Sequence, residues 1–180
     1  MAKGKKDWFD WLKTLLIAFG IAFIIRIFII SPIIVDGPSM LPTLHDRDQI
    51  MVNKFIYHFS DPERFDIVIF HAPDERDFIK RVIGLPGEHV MIKNNQLHIN
   101  GNIIKEPFIE KNNVYTNDFR LEMLPGQHET IPEGYVLVLG DNRSNSTDSR
   151  TIGLVPMDEI VGKAAFIYWP IDRIQIIKDE

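Results

Sequence analysis

The chain has 180 residues, a formal net charge of −5 and no cysteine. The lack of cysteine excludes a thiol nucleophile, a disulfide framework and a zinc–cysteine site, and an acidic chain without a basic stripe beyond its N-terminus argues against nucleic acid as a partner. The hydrophobic share of 45% is that of a globular protein, and the roughly 150 residues that remain beside a membrane anchor suffice for one folded domain.

The first predicted element is a transmembrane helix over residues 12–30. Residues 14–25 carry no charge, and residues 27–30 are apolar again after Arg26. A helix over this range would be about 28 Å long, which nearly matches a hydrocarbon core of ~30 Å, and Arg26 would extend its side chain to the headgroups. The alternatives are a buried core helix and a cleavable signal peptide. We favour an uncleaved anchor, because the run is apolar all round and no small-x-small cleavage site follows it.

Charge around this helix sets the expected orientation. The more basic flank of a membrane helix stays in the cytoplasm. We therefore expect residues 1–11 in the cytoplasm and residues 31–180 as an extracytoplasmic domain. Pro32 ends the helix, since proline disfavours helical geometry in the residue before it. The basic residues on the N-terminal side are Lys3, Lys5, Lys6 and Lys13.

Beyond Pro32 the chain predicts a mostly antiparallel β domain. Short segments rich in β-branched and aromatic residues are separated by Gly, Pro, Asn and Asp. Asn94-Asn95 and Asn100-Gly101 predict tight hairpin turns. Residues 102–133 are less regular and predict a small β excursion, a cap or a mobile loop. The predicted strands are residues 49–56, 65–71, 78–83, 90–93, 96–99, 135–139 and 164–168, and residues 157–161 predict a helical turn.

The first stretch that carries chemistry surrounds Ser39. Pro38 and Pro42 stiffen the segment, and Gly37 allows close approach of another backbone. A nucleophile needs such a fixed, accessible loop. Taken alone, however, a serine among prolines is more often a simple turn.

The second stretch contains Lys80 on the predicted strand 78–83. Alternation along a strand puts Phe78, Lys80 and Val82 on one face. If that face is buried, desolvation lowers the pKa of Lys80, and a neutral amine can take the proton of a serine hydroxyl. The alternatives are a solvent-facing lysine on an edge strand and an inner face formed by residues 79, 81 and 83.

The third stretch is the polar segment of residues 140–150, in which seven of eleven residues are Asp, Asn or Ser. A solvated turn and a calcium loop are the ordinary interpretations. Arg143 and Arg150 argue against a cation site, and the glutamate of a calcium-binding helix-loop-helix is missing. Such a segment can also supply hydrogen bonds that support a catalytic amine.

Together and in this order, the three stretches resemble bacterial type I signal peptidases. The resemblance covers the chain from residue 30 to about residue 170, and the short length with one anchor resembles the Gram-positive branch. The segment 65–70 fits as well, except that Phe65 stands where the family commonly has glycine. The matching residues are 37–40, 42–44, 80–87, 140–146 and 148–150.

The resemblance implies a role for each matching residue of the cleft. Ser39 would be the nucleophile, and Lys80 would be the general base that later protonates the leaving amine. Ser146 would orient the lysine through a hydrogen bond, and Met40 would help to shape the cleft. Gly37 stands where some relatives have a serine that binds the oxyanion, so the oxyanion hole would use backbone N–H groups such as that of Ser39.

The resemblance also implies supporting residues and an activity. Arg81 would lie beside the base, and Asp148 and Arg150 would form a structural ion pair. The implied fold is an antiparallel β-sheet catalytic domain like those of signal peptidases and repressor proteases. The implied function is a membrane-bound serine endopeptidase that removes signal peptides from exported preproteins, cutting after small residues in an Ala-x-Ala pattern.

The remaining expectations concern partners and alternatives. The expected partners are exported preproteins and membrane lipid, and the export machinery is a further candidate partner. No cofactor or metal is expected, because the sequence has no HExxH segment and no phosphate-binding glycine loop. The alternative enzyme is a self-cleaving repressor-type protease, which would carry a DNA-binding or cytosolic arm in place of the anchor. An alternative of another class is a non-catalytic, membrane-tethered β domain that binds exported proteins.

Overall fold

The computed structural model describes the backbone of residues 3–72, 76–110, 112 and 114–178, and side chains from residue 8 onward except those of residues 22 and 24–28. Residues 1 and 2 of the expected cytoplasmic segment lie outside this range. The side chains of Lys3, Lys5, Lys6 and Arg26, which bear on the expected orientation and headgroup contact, also lie outside it.

Helix α1 spans Lys3–Phe28 and is followed at once by strand β1, Ile30–Ile34. The helix therefore ends before the predicted limit at residue 30. Ile30 is already extended and pairs with Asn53, and Ser31 after it has the extended geometry that is preferred before Pro32. None of the helices, searched over the described residues, combines the length and the apolarity that crossing a bilayer requires.

The larger of two sheets has eight strands and is antiparallel throughout, as the sequence predicts. Besides β1 it contains β2 (Gln49–Asn53), β3 (Ile67–His71), β4 (Asp77–Gly84), β9 (Tyr135–Leu139), β10 (Val155–Pro156), β11 (Ile160–Trp169) and β12 (Gln175–Ile176). Their order is β1-β2-β11-β3-β4-β9-β10, and β12 pairs with β11. This sheet is the mostly antiparallel β domain expected beyond Pro32.

The smaller sheet is built from β5 (Val90–Lys93), β6 (Gln96–Ile99), β7 (Asn102–Ile104) and β8 (Phe119–Arg120), in the order β7-β6-β5-β8. Asn94, Asn95 and Asn100 adopt positive φ angles of 50°, 63° and 51°, so the predicted hairpin turns are confirmed. Residues 102–133 form β7, helix α2 (Pro107–Glu110) and β8. The predicted excursion thus contributes two short strands to this second sheet.

Both faces of the larger sheet are covered by apolar side chains. Val68 and Phe70 pack in one cluster, whereas Ile67 and Ile69 of the same strand pack in another. The sequence of a strand that is buried on both faces is a continuous apolar run and does not alternate between apolar and polar residues. For this reason the sequence left open which face of residues 78–83 is buried.

Candidate active site

Ser39 lies in the loop between β1 and β2, and the loop is fixed on both sides of it. The N–H of Leu41 donates to the carbonyl of Pro38 at 3.1 Å, and the N–H of Leu44 donates to the carbonyl of Met40 at 2.9 Å. Met40 is only 1% exposed and packs in the core. Gly37 has a positive φ of 87°, which glycine adopts without strain.

Lys80 lies near the middle of β4, opposite Val68, and is 4% exposed. Its Nζ donates to Oγ of Ser39 at 2.9 Å and to the carbonyl of Ile79 at 2.9 Å. The Nζ also lies 5.1 Å from the ring centroid of Phe78. The structure therefore brings the two sequence-predicted residues into direct contact across 41 positions of chain.

Burial lowers the pKa of Lys80 from 10.5 to about 8, and the carboxylates of Asp148 and Asp141 oppose this by favouring the ammonium. The lowered pKa confirms the direction predicted from the apolar flanks of Lys80. A substantial share of neutral amine is consequently present at mildly alkaline pH. That amine can accept a proton from a hydroxyl that it already contacts.

Arg81 points to the opposite face of β4 from Lys80 and is 1% exposed. It binds Asp141 through two bonds, Nε to Oδ1 at 2.9 Å and Nη2 to Oδ2 at 2.7 Å. Its Nη1 donates to the carbonyl of Phe65 at 2.9 Å. Phe65 has a positive φ of 74°, a conformation that glycine adopts without strain, and this explains why glycine is common at this position in the family. The hydroxyl of Thr43 donates to Oδ2 of Asp141 at 2.5 Å, which ties the Ser39 loop to the same carboxylate.

Sequence reasoning did not single out Asp141 and Thr43 as partners of Arg81. Both residues lie inside the stretches that resemble the family, but the sequence does not indicate that they contact Arg81. A buried arginine requires a carboxylate partner. Had the burial of Arg81 been recognised, Asp141 would have been a candidate for that partner.

We call residues 140–148 the polar loop. Asn142 of this loop binds the backbone of the Ser39 loop twice: its N–H donates to the carbonyl of Ser39 at 3.0 Å, and its side-chain Nδ2 donates to the carbonyl of Pro38 at 3.1 Å. At the base of the loop, the N–H of Gly140 donates to Oδ2 of Asp148 at 3.0 Å. The polar loop therefore positions the backbone of the nucleophile, in addition to lining the site.

Asp148 and Arg150 form the ion pair that the resemblance implies, with Nε to Oδ1 at 2.8 Å and Nη2 to Oδ2 at 2.7 Å. Asp148 is fully buried and also caps helix α3, Ser149–Ile152, by accepting from the N–H of Arg150. The hydroxyl of Ser149 accepts from the N–H of Val138 at 2.9 Å. These contacts attach the end of the polar loop to β9.

Ser146 is close to the site, but its expected bond is not formed in this arrangement. Its Oγ is buried and has no hydrogen-bond partner among the described residues. It lies against Gly140, where an added Cβ would come within 2.2 Å of it. The bond from Ser146 to Lys80 therefore stays a prediction.

A cleft of about 510 Å³ opens at Ser39 and Lys80. Ile33 and Ile34 of β1 line one side, and Phe78 of β4 lines another. Gly37 also lines the cleft, but its N–H donates to Oδ1 of Asp46 at 2.9 Å and is therefore not available to a substrate. Over the described part of the chain, no group of three or more acidic, histidine or cysteine side chains is arranged to hold a metal ion.

Comparisons with known proteins identify the family of the chain. A family model described as Signal peptidase, peptidase S26, matches residues 8–169. Signal peptidase IB of Staphylococcus aureus (strain Mu50 / ATCC 700699) is 39% identical over 180 residues, which are 95% of this chain and 94% of that protein. Signal peptidase I of Bacillus caldolyticus is 41% identical over 163 residues, which are 87% of this chain and 89% of that protein. The crystal structure of a signal peptidase I from Enterococcus faecalis V583 is similar with a TM-score of 0.54 at 43% identity, over 58% of this chain and 97% of that one.

Proposed function

Because the chain belongs to the signal peptidase family, peptidase S26, as a bacterial type I member, we propose that Ser39 and Lys80 are the dyad with which it cleaves signal peptides. The chain is a serine endopeptidase, and exported preproteins are its substrates. The observation that supports the dyad is the 2.9 Å contact between Nζ of Lys80 and Oγ of Ser39. Its second support is the pKa of Lys80, which burial lowers to about 8.

In the proposed reaction, neutral Lys80 takes the hydroxyl proton while Oγ of Ser39 attacks the scissile carbonyl. The backbone N–H of Ser39 donates to the developing oxyanion, since the N–H of Gly37 is already bonded to Asp46. The ammonium of Lys80 then protonates the leaving amine, and an acyl-enzyme remains on Ser39. Lys80 next takes a proton from a water molecule as the water oxygen attacks the ester. The ammonium of Lys80 returns this proton to Oγ of Ser39 as the ester bond breaks and the new C-terminal carboxylic acid leaves.

The substrate is proposed to bind as an extended strand in the cleft. Residues 77–80 of β4 line the cleft. The pairing of β4 with β9 begins only at Arg81, so residues 77–80 precede the paired part of the strand. β1 is the first strand of the sheet and also lines the cleft. Main-chain bonds to such edges would supply affinity, and the part of the cleft lined by Ile33, Met40 and Phe78 would admit alanine and exclude larger side chains.

We also propose that helix α1 holds the catalytic domain at the membrane with the N-terminus in the cytoplasm. The uncharged residues 14–25 support this, as do large apolar side chains on α1 that are more than half exposed, such as Leu16, Phe19 and Phe23. Confinement of enzyme and substrate to one surface would raise their effective concentration. The anchor is tested by alkaline extraction of membranes that contain the full chain: release into the soluble fraction would contradict it.

The dyad is tested by cleavage of a preprotein with an Ala-x-Ala site, in detergent, by the unmodified chain, Ser39→Ala and Lys80→Met. We expect cleavage after the second alanine by the unmodified chain alone, with both variants folded as judged by circular dichroism. Substantial cleavage by Lys80→Met would place the general base elsewhere. A folded but inactive unmodified chain that still binds the preprotein would favour the tethered binding domain.

A further inference from the structure

Glu106 is a buried acid that the proposed reaction does not use. It is 6% exposed and lies at the start of α2, outside the larger sheet. Its carboxylate forms an ion pair with Arg143 through Oε1 and Nη2. Arg143 belongs to the polar loop and is itself 2% exposed, so this pair joins the excursion of residues 102–133 to the catalytic region without solvent between them.

Arg143 uses the rest of its guanidinium to connect two more groups. Its Nη1 donates to Oγ1 of Thr116 at 3.1 Å, and its Nε donates to the carbonyl of Gly140 at 3.1 Å. The N–H of Thr116 in turn donates to Oδ1 of Asn95 at 2.7 Å, in the turn between β5 and β6. The three acceptors fix Arg143 in one position, because a planar guanidinium can satisfy all of them in only one orientation.

The position of Arg143 matters because its neighbour Asn142 holds the nucleophile. The two hydrogen bonds from Asn142 end on the carbonyls of Ser39 and Pro38. The turn that presents Asn142 is closed by the bond from Nε of Arg143 to the carbonyl of Gly140. A displacement of the arginine would therefore be passed on to the backbone of Ser39 within two residues.

We infer that Glu106 is a positioning residue for Ser39, acting through Arg143 and the polar loop. The inference rests on the proposed function of Ser39. It assigns a role in catalysis to the excursion of residues 102–133, whose described residues contribute no group to the cleft. Without the carboxylate, the buried guanidinium would lose its charged partner, and the polar loop would hold Ser39 less firmly at its 2.9 Å distance from Lys80.

The test compares Glu106→Gln with Glu88→Gln in the full chain in detergent. Glutamine keeps the size and one acceptor oxygen of Glu106, so this variant is more conservative than Glu106→Ala, which removes the acceptor for Nη2 of Arg143 altogether. Glu88 is a matched control because it also pairs with an arginine, Arg64, and its carboxylate does not contact the polar loop. Thr116→Val provides a second variant, since valine has the same shape and removes only the acceptor for Nη1.

For Glu106→Gln we expect kcat to fall by about tenfold with KM unchanged, because the groups that line the cleft are intact while the nucleophile is less well placed. Thr116→Val should lower kcat in the same direction by a smaller factor. Glu88→Gln should keep the kcat of the unmodified chain. Equal losses in Glu106→Gln and Glu88→Gln would overturn the inference, because they would reflect general destabilisation.

Hydrogen exchange separates this inference from the proposed function. The N–H of Asn142, bonded to the carbonyl of Ser39, should exchange faster in Glu106→Gln and at an unchanged rate in Glu88→Gln. Unchanged exchange in both variants would overturn the inference even if the unmodified chain cleaves preproteins. If the unmodified chain does not cleave, the proposed function fails, and faster exchange in Glu106→Gln alone would still support the coupling to Ser39.

Discussion

The carbonyl oxygen of Ser39 occupies the space that a side chain on Gly140 would need. A Cβ added to Gly140 would come within 2.5 Å of that oxygen and within 2.2 Å of Oγ of Ser146. Side chains do not tolerate contacts this short against a backbone atom. Glycine at this position therefore allows the polar loop to pack on the nucleophile loop and to donate the hydrogen bond from Asn142.

For Gly140→Ala we expect a loss of cleavage of about a hundredfold, because a shift of the polar loop by about 1 Å would displace Ser39 from Lys80. Gly162→Ala is the matched control: its Cβ would meet the carbonyl oxygen of Asn53 at 2.5 Å, on β11 and outside the cleft. Both variants should lose about 1–3 kcal/mol of unfolding free energy. Cleavage rates measured where both are folded should fall only in Gly140→Ala, and equal rates would contradict the argument.

Much of the fold could be predicted from local sequence. Strands 90–93, 96–99 and 135–139 have the predicted bounds, because asparagine and glycine turns or a compact apolar run define their ends. Strands β10 and β12 were missed because each is two residues long and is defined only by its pairing with an earlier strand. Strand β1 was partly assigned to the anchor, since Ile30 is apolar in either setting.

In the candidate site, too, local stretches could be predicted from the sequence and contacts between distant residues could not. Ser39 and Lys80 were found because each lies in a recognisable stretch, and the structure brings them together. The pairs Arg81–Asp141 and Arg143–Glu106 were not found, because they join residues 60 and 37 positions apart. Local patterns do not specify such pairings, which depend on which charges the fold buries together.

The rate of cleavage should depend on pH through Lys80. Since burial lowers the pKa of Lys80 to about 8, the neutral base is scarce at pH 6 and predominates above pH 9. We expect kcat/KM to rise about tenfold per pH unit below pH 8 and to level off above it. The measurement is kcat/KM from pH 6 to 10 on one preprotein. A flat profile from neutral to alkaline pH would show that another group is the base.

Lys80→Met should stabilise the fold while it removes activity. The folded pKa of about 8 lies below the usual 10.5, so the unfolded chain binds the proton more tightly and the buried ammonium costs about 3 kcal/mol below pH 8. Methionine avoids this cost, so the variant should unfold at higher denaturant concentration at pH 6. Its advantage should shrink as the pH rises from 8 to 10.5, where the unmodified chain loses the penalty.

Lys163→Met is the control for this measurement. Lys163 pairs with Val68 from the other side of β3, and its ammonium forms an ion pair with buried Asp66. Here the lysine neutralises a carboxylate, so its removal should lower the unfolding free energy by about 1–3 kcal/mol. Stabilisation by both substitutions would mean that added apolar surface, not the removal of a buried ammonium, is the cause.

Ser146→Ala should separate catalysis from stability. The hydroxyl of Ser146 is buried without a hydrogen-bond partner among the described residues, so its removal should leave the unfolding free energy unchanged or raise it by up to about 1 kcal/mol. Cleavage should nevertheless slow if the hydroxyl turns toward Lys80 during the reaction. Ser149→Ala is the control, because it removes the acceptor of the buried N–H of Val138 and should cost about 1–3 kcal/mol. Equal costs in urea unfolding would indicate that Ser146 does have a bonding partner.

Arg173→Gln tests how the C-terminal segment holds the nucleophile loop. Arg173 binds buried Asp48 through two bonds of 2.9 Å, and Oδ2 of Asp48 also accepts from the N–H of His45. Because the variant leaves a buried carboxylate without its cation, we expect a loss of about 1–3 kcal/mol in urea unfolding. Arg47→Gln removes the same charge from an exposed pair with Asp46 and should cost at most about 0.5 kcal/mol. A loss in Arg173→Gln no larger than that of the control would show that the C-terminal segment is not needed to stabilise the loop.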